Sequence, residues 1–202
     1  AGRTDAGVHA TGQVVSLSGE APVDPHRLRS ALRGLLPRDI DAYAVSAATD
    51  GFDARHDALT RRYEYRVLPG RSSALRRGRV LEYYRDLDDS VLDTCAHEVQ
   101  GRHDFRAFTP TRSRHTRFTR TIIEAAWDRR DDERVLVIEA NSFLHHMVRV
   151  MVGTMLETAS GLRSVVGFRE LLASADRRDA GPTAPAHPLT LVAVTYPAEV
   201  AS

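Results

Sequence analysis

The stretch that decides the fold is the alternating segment Arg62-Tyr63-Glu64-Tyr65-Arg66-Val67. Side chains of a β-strand point to opposite faces in turn, so the two tyrosines and the valine would share one face. The charged residues of the segment would share the other face. The segment therefore predicts a strand with one apolar face and one charged face.

Strands and helices follow one another on both sides of this segment without strict alternation. Further strands are predicted at 13–18, 40–47, 119–127, 134–140 and 189–195. Helices are predicted at 25–36, 89–99, 143–160 and 168–175, the first with a buried stripe of Leu28, Leu32, Leu35 and Leu36. This order predicts an α+β fold with a mixed, mostly antiparallel sheet and flanking helices.

Composition excludes several classes of protein. No apolar run has the length that crosses a bilayer, and no secretion signal opens the chain. The single cysteine, Cys95, cannot form an internal disulfide and lacks the paired spacing of a zinc site. These features predict a cytoplasmic protein that enters no membrane and holds no metal.

The charge of the chain permits a nucleic-acid partner without demanding one. The net charge is only +1, and all 28 basic residues are arginines. Arginine stacks on bases and binds phosphates with two parallel hydrogen bonds, which suits RNA. A GC-rich genome would produce the same absence of lysine, so the bias is permissive only.

Asp5 lies in a glycine-punctuated loop, Gly2-Arg3-Thr4-Asp5-Ala6-Gly7. Glycines let the backbone turn sharply and let a substrate approach closely. A loop aspartate is nevertheless more often a turn former than a catalytic group. The loop alone leaves both readings open.

Arg149 lies in a helix whose neighbouring turns are apolar, from Met147 to Val152. A guanidinium inside a buried helix is costly unless an anion neutralises it. If Asp5 is that anion, the pair holds the carboxylate ionised and oriented. The alternative is that the long side chain reaches solvent or carbonyl oxygens instead.

The adjacent His145 and His146 are expected to lie on the same helix, about 100° apart, where they could not both bind one metal comfortably. Tyr63 is either a half-buried sheet residue or a platform for a stacked base. The segment from Arg106 to Ile123 has no acidic residue and is either an RNA contact or a solvated loop. Its candidate RNA-binding residues are Arg112, Arg114, Arg117 and Arg120.

Three motifs together resemble one family. The first is Gly2-Arg3-Thr4-Asp5-Ala6-Gly7-Val8-His9, which resembles the signature loop of the TruA-type tRNA pseudouridine synthases. The second is Arg62-Tyr63-Glu64-Tyr65, which is similar to their tyrosine-bearing strand. The third is Asn141-Ser142-Phe143-Leu144-His145-His146-Met147-Val148-Arg149, and the three occur in the family's order.

The resemblance implies the pseudouridine synthase fold, with two similar sub-domains at about 1–68 and 69–202 that share one sheet. It implies that Asp5 is the catalytic aspartate and that Arg149 pairs with it. Tyr63 would stack on the target uracil, and Arg3 would help to hold the RNA stem open.

The implied reaction converts uridine to pseudouridine in the anticodon stem-loop of tRNA, at positions 38 to 40. It needs no cofactor and no metal, and the implied assembly is a homodimer. Asp5 would attack C1′ or remove a sugar proton, and both routes stay open. The family also has a strand and a helix before the signature loop, so we expect the sequence to lack that segment.

Two other functions compete with this interpretation. The chain could be a tRNA-binding fragment without catalysis, or a hydrolase-like α+β protein that uses Asp5 differently. The ordered set of three motifs argues against the second.

Overall fold

The computed structural model describes residues 2–19, 23–112, 116–173 and 176–198. The chain divides into two units, of which the larger comprises Arg3–Gln13 and Leu59–Thr195. The smaller is centred on Val14–Ala58. The sub-domains expected at 1–68 and 69–202 stay a prediction.

The larger unit is built on one seven-stranded sheet. Its strands are β1 (His9–Ala10), β2 (Thr60–Pro69), β3 (Leu81–Tyr83), β4 (Gly101–Asp104), β5 (Thr119–Arg130), β6 (Glu133–Ala140) and β7 (Leu189–Thr195). The strand order is β1-β7-β2-β6-β5-β4, and β3 also pairs with β2. Pairs β1–β7 and β2–β3 are parallel and the other pairs are antiparallel. The predicted α+β class with a mostly antiparallel sheet is confirmed.

The described residues form four α-helices: α1 (Pro25–Leu35) in the smaller unit, and α2 (Asp89–Glu98), α3 (Met147–Ala159) and α4 (Val165–Ala173) in the larger one. Helices α2, α3 and α4 share one apolar core with β2, β5 and β6, and this core contains Tyr65, Phe105, Phe108, Leu136 and Met151. Among the described residues, no helix is long and apolar enough to cross a membrane.

Strand β2 has the two unlike faces that its sequence predicts. Tyr65 and Val67 are fully buried in the core. On the charged face, Arg62 pairs with Glu124 of β5 and Arg66 pairs with Glu133 of β6. Cross-strand ion pairs of this kind add to the register that the buried face imposes.

The smaller unit departs from the sequence predictions. The segments 13–18 and 40–47 form no strand, and Val15 and Leu17 are 72% and 71% exposed. A strand needs a hydrogen-bonded neighbour, and neither segment pairs with a described strand. Helix α1 forms as predicted behind its Asp24 cap. Its leucine stripe is not fully buried as predicted: Leu28, Leu32 and Leu36 are half-buried, and Leu35 is 80% exposed.

Substitution of two helical glycines by alanine is expected to change the free energy of unfolding in opposite directions. A Cβ on Gly153 of α3 would lie 1.9 Å from the carbonyl oxygen of Pro182, whereas a Cβ on Gly34 of α1 would meet nothing within 4 Å. We expect Gly153→Ala to lower the free energy of unfolding by about 2 kcal/mol or more, because α3 and the Pro182 loop must separate. Gly34→Ala should increase helix stability by about 0.5–1 kcal/mol.

Urea unfolding followed by circular dichroism measures both effects. Equal effects of the two substitutions would show that α3 and the Pro182 loop are not closely packed.

Candidate active site

The Asp5 loop is held by a tight turn and by the edge of the sheet. The amide of Val8 donates to the carbonyl oxygen of Asp5 at 3.1 Å, and Gly7 adopts φ +81°. That φ is the value a type II turn requires at its third residue, where glycine is favoured. Strand β1 then pairs with β7, so the turn cannot move independently of the sheet.

The chain that follows β1 lies unusually close to β7. The amides of Thr11 and Gly12 both donate to the carbonyl oxygen of Leu191, at 2.9 and 3.1 Å. A Cβ on Gly12 would lie 2.3 Å from the carbonyl oxygen of Val192. Only glycine permits this approach, so Gly12 helps to anchor the loop that carries Asp5.

Helix α3 supplies the partner of Asp5. Its residues are buried except for Arg149 and Glu157. The Nη1 of Arg149 donates to Oδ2 of Asp5 at 3.0 Å, and Nε donates to the carbonyl oxygen of Ala184 at 2.8 Å. The two side chains are only 15% and 21% exposed. The predicted contact between carboxylate and guanidinium is therefore present, in a setting where water screens it weakly.

The two histidines are not placed as expected. They precede α3, which begins at Met147 rather than at Phe143 because His146 adopts the left-handed conformation, φ 59°. Their Nε2 atoms lie 3.6 Å (His145) and 3.5 Å (His146) from the Asp5 carboxylate oxygens. The helical spacing assumed from the sequence was wrong.

Together with Asp5, the two histidines offer three potential metal ligands within 4.8 Å of one another. Arg149 already donates to one carboxylate oxygen of this group. A cation bound there would have to displace the guanidinium or tolerate its positive charge. The absence of a catalytic metal stays a prediction.

The surroundings of His146 act on its pKa in opposite directions. Burial lowers its pKa from 6.5, and the Asp5 carboxylate opposes that effect. The neighbouring His145, Arg149 and Arg177 lower the pKa further. His146 is thus held in its neutral form at neutral pH, so Arg149 supplies the positive charge against Asp5.

Tyr63 lies on β2 with its ring packed edge-to-face on Phe143, the ring centroids 5.3 Å apart. Burial raises the pKa of Tyr63 to about 12, and the Asp5 carboxylate adds to that effect. The phenol is therefore protonated at any ordinary pH and lies within electrostatic reach of Asp5. The residue as a whole is half-buried.

The remaining predicted residues are more exposed. Arg3, Arg112 and Arg117 are at the surface. Arg120 is half-buried and donates to the carbonyl oxygens of Arg117 and Thr119. Arg114 lies outside the described residues.

The sequence interpretation did not place the two histidines beside the Asp5 carboxylate, or Phe143 against Tyr63. The histidine pair stands directly before the apolar run of α3 and could have suggested a helix start rather than a continuation. Nothing in the sequence indicated that Arg177, more than 170 residues after Asp5, would influence the same group.

The lowered pKa of His146 predicts a pH effect on stability. At a pH well above 6.5 this histidine is neutral in both the folded and unfolded states. As the pH falls below 6.5, the unfolded chain takes up the proton first, so the free energy of unfolding decreases. His146→Asn, which tolerates the left-handed conformation, should reduce the loss of stability between neutral and mildly acidic pH.

Chemical denaturation of both proteins at several pH values measures this effect. Identical pH slopes would contradict the neutral state of His146.

Comparison with known proteins shows which family this chain resembles. The model of the tRNA pseudouridine synthase family matches residues 95–197. A tRNA pseudouridine synthase A of Methylobacterium nodulans is 42% identical over 98% of this chain and 78% of its own length. One from Chloroflexus aurantiacus is 43% identical over 98% of this chain and 73% of its own length.

A third relative, the tRNA pseudouridine synthase A of Caulobacter vibrioides, is 39% identical over 97% of this chain and 80% of its own length. The similarity to these relatives thus extends beyond residues 95–197 and over nearly the whole chain. On this evidence, the chain belongs to the tRNA pseudouridine synthase family.

Proposed function

We propose that this chain converts uridine to pseudouridine in the anticodon stem-loop of tRNA, with Asp5 as the catalytic carboxylate. Membership of the family supports the coarser statement, an isomerase that acts on uridine in tRNA. The observation that carries the role of Asp5 is its 3.0 Å ion pair with Arg149, made by two poorly exposed side chains.

The surroundings of Asp5 suit a group that must be held in one orientation. Arg149 donates to one of its carboxylate oxygens and so fixes the direction of that oxygen. His146 and Arg149 come from the start of α3, where the helix dipole also favours negative charge. Asp5 keeps about one fifth of its side chain exposed, so a substrate can reach it.

The proposed reaction is an isomerisation in which all atoms are conserved. The bond from N1 to C1′ breaks, the uracil turns while it is held, and C5 bonds to C1′. The proton at C5 is released and N1 takes one up. Asp5 attacks C1′ or removes a sugar proton, and no metal or cofactor takes part in either route.

Tyr63 is proposed to hold the uracil during this turn. Its ring is braced by Phe143 and its hydroxyl remains protonated, so it offers a rigid aromatic surface and a hydrogen-bond donor. Base stacking on such a surface contributes about 1–3 kcal/mol. Arg3, two residues before Asp5, is proposed to help keep the stem open after the base has left it.

The arginine-rich segment before β5 is proposed to bind the RNA backbone. Arg112 and Arg117 are exposed, and Arg120 is held by carbonyl oxygens rather than by an acid. Contacts of this kind would retain the tRNA while a base is flipped out of the stem. The same proposal for Arg114 rests on the sequence alone.

The target positions and the assembly follow from the family resemblance. We expect modification of uridines 38, 39 and 40 by a cytoplasmic homodimer. Tritium release from anticodon arms that each keep only one of these uridines, labelled at C5, identifies the modified positions. Light scattering measures the mass of the assembly and so tests the homodimer. Release only from uridines outside the anticodon arm would contradict the proposed site.

Asp5→Asn is expected to abolish tritium release while tRNA binding changes by less than about threefold. The amide retains the shape of the side chain but cannot act as nucleophile or base.

Arg149→Lys should retain the charge and reduce the rate about tenfold or more, because it loses the contact with either Asp5 or Ala184. Release of C5 tritium under single-turnover conditions measures both effects.

Asp93→Asn is the matched control, because Asp93 also pairs with an arginine at 3.0 Å but lies on α2. It should leave the rate unchanged. Full activity of Asp5→Asn would refute the catalytic role. Salt-sensitive tRNA binding by the wild-type chain without any tritium release would instead favour the non-catalytic fragment.

A further inference from the structure

Arg177 is a half-buried arginine that no acidic group neutralises within the described part of the chain. Its guanidinium donates to the carbonyl oxygen of Ala180 at 3.3 Å and to Oγ1 of Thr183 at 3.2 Å. Burial lowers its pKa. The adjacent Arg178 is 87% exposed and pairs with Asp176 at 2.6 Å. Two neighbouring arginines therefore differ in the one property that matters for anion binding, a free positive charge.

Arg177 lines a cavity of about 690 Å³ together with Arg106, Thr109 and Phe118. Arg106 lies over the Phe118 ring, 4.7 Å from its centroid, and also pairs with Asp104. Arg178 and Asp176 line the same cavity and neutralise each other. Of the charges described there, that of Arg177 is left uncompensated. A single phosphate diester would balance it.

This cavity adjoins the group around Asp5. The hydroxyl of Thr109 donates to the carbonyl oxygen of His145 at 2.9 Å. Arg177 is close enough to His146 to affect its pKa. Both histidines lie within 3.6 Å of the Asp5 carboxylate. An anion on Arg177 would thus lie one side chain away from the proposed reaction centre.

The same short loop connects Arg177 with Arg149. Arg177 donates to the carbonyl oxygen of Ala180, and Arg149 donates to that of Ala184. The amide of Gly181 also donates to Thr154 of α3, which ties the loop to the helix. Both guanidiniums therefore donate to carbonyl oxygens of one loop, which is tied to α3. Arg149 also contacts Asp5, and Arg177 lines the cavity.

We propose that Arg177 binds the RNA backbone phosphate adjacent to the target uridine when that uridine lies at Asp5. The ligand is a phosphate diester of the RNA, and the aromatic and hydroxyl side chains of the cavity face the neighbouring nucleotide. This inference rests on the proposed function, because it takes Asp5 as the reaction centre. It assigns Arg177 to substrate positioning, separate from the arginines of the 112–120 segment.

The test compares Arg177→Gln with a double substitution of Asp176 and Arg178. Arg177→Gln should raise the KM for the tRNA anticodon arm about tenfold, while kcat changes less than twofold. The slope of log Kd against log salt concentration should decrease in magnitude by about one for Arg177→Gln. Arg178→Gln is made together with Asp176→Asn, so that both charges of this pair leave the cavity, and the double substitution should leave both quantities unchanged.

A single neutral methylphosphonate in the RNA identifies the phosphate. Placed next to the target uridine, it should weaken binding to the wild type and have no further effect on Arg177→Gln, because both changes remove the same contact. Additive losses at each position adjacent to the uridine would overturn the proposal. So would an unchanged salt slope, or equal effects of Arg177→Gln and the double substitution.

Two controls separate the alternatives. Arg177→Lys retains the charge and should recover much of the binding, whereas a purely structural role would lower the melting temperature and leave the salt slope unchanged. RNA binding is measured separately from tritium release. Absence of tritium release from the wild type would therefore refute the proposed function and leave the test of Arg177 intact. Millimolar inorganic phosphate should compete with the RNA more strongly in the wild type than in Arg177→Gln. Equal weakening of RNA binding in the two proteins would count against a phosphate site at Arg177.

Discussion

The ion pair between Asp5 and Arg149 is the interaction on which the site depends. It joins residues 144 positions apart in the chain. Each partner is anchored separately, Asp5 through the turn that leads into β1 and Arg149 through the buried helix α3. An arginine in this helix is tolerable only because a carboxylate and a carbonyl oxygen accept its hydrogen bonds. The anchoring elements thus determine where the carboxylate points.

Close backbone approach makes that anchoring possible at two glycines. Gly12 lets the chain after β1 lie against β7, and Gly153 lets the Pro182 loop lie against α3. The carbonyl oxygen of Ala184, two residues beyond Pro182, accepts from Arg149. Loop packing and site geometry are therefore coupled through the main chain, and Arg177 belongs to the same loop.

Most of the fold could be predicted where sequence period and burial agree. Strand β2, the β5–β6 hairpin, α2 and β7 were predicted because their apolar residues recur at the spacing of the element that forms. The segments 13–18 and 40–47 have strand-like composition but join no described strand. Helix α1 has an amphipathic sequence, yet its leucines are half-buried or exposed rather than part of a closed core. Composition does not show how closely the rest of the fold packs against a segment.

For the site, the sequence by itself determined the candidate residues and their chemistry. A glycine-flanked aspartate and an arginine in an apolar helix each require an explanation, and the motif order linked them. Only the tertiary structure decided that the two meet at 3.0 Å and that His145 and His146 leave the helix to contact the same carboxylate. It also brought the unneutralised Arg177 near them. Local pattern reports the burial and period of a segment, whereas contacts between distant residues arise from the packing of whole elements.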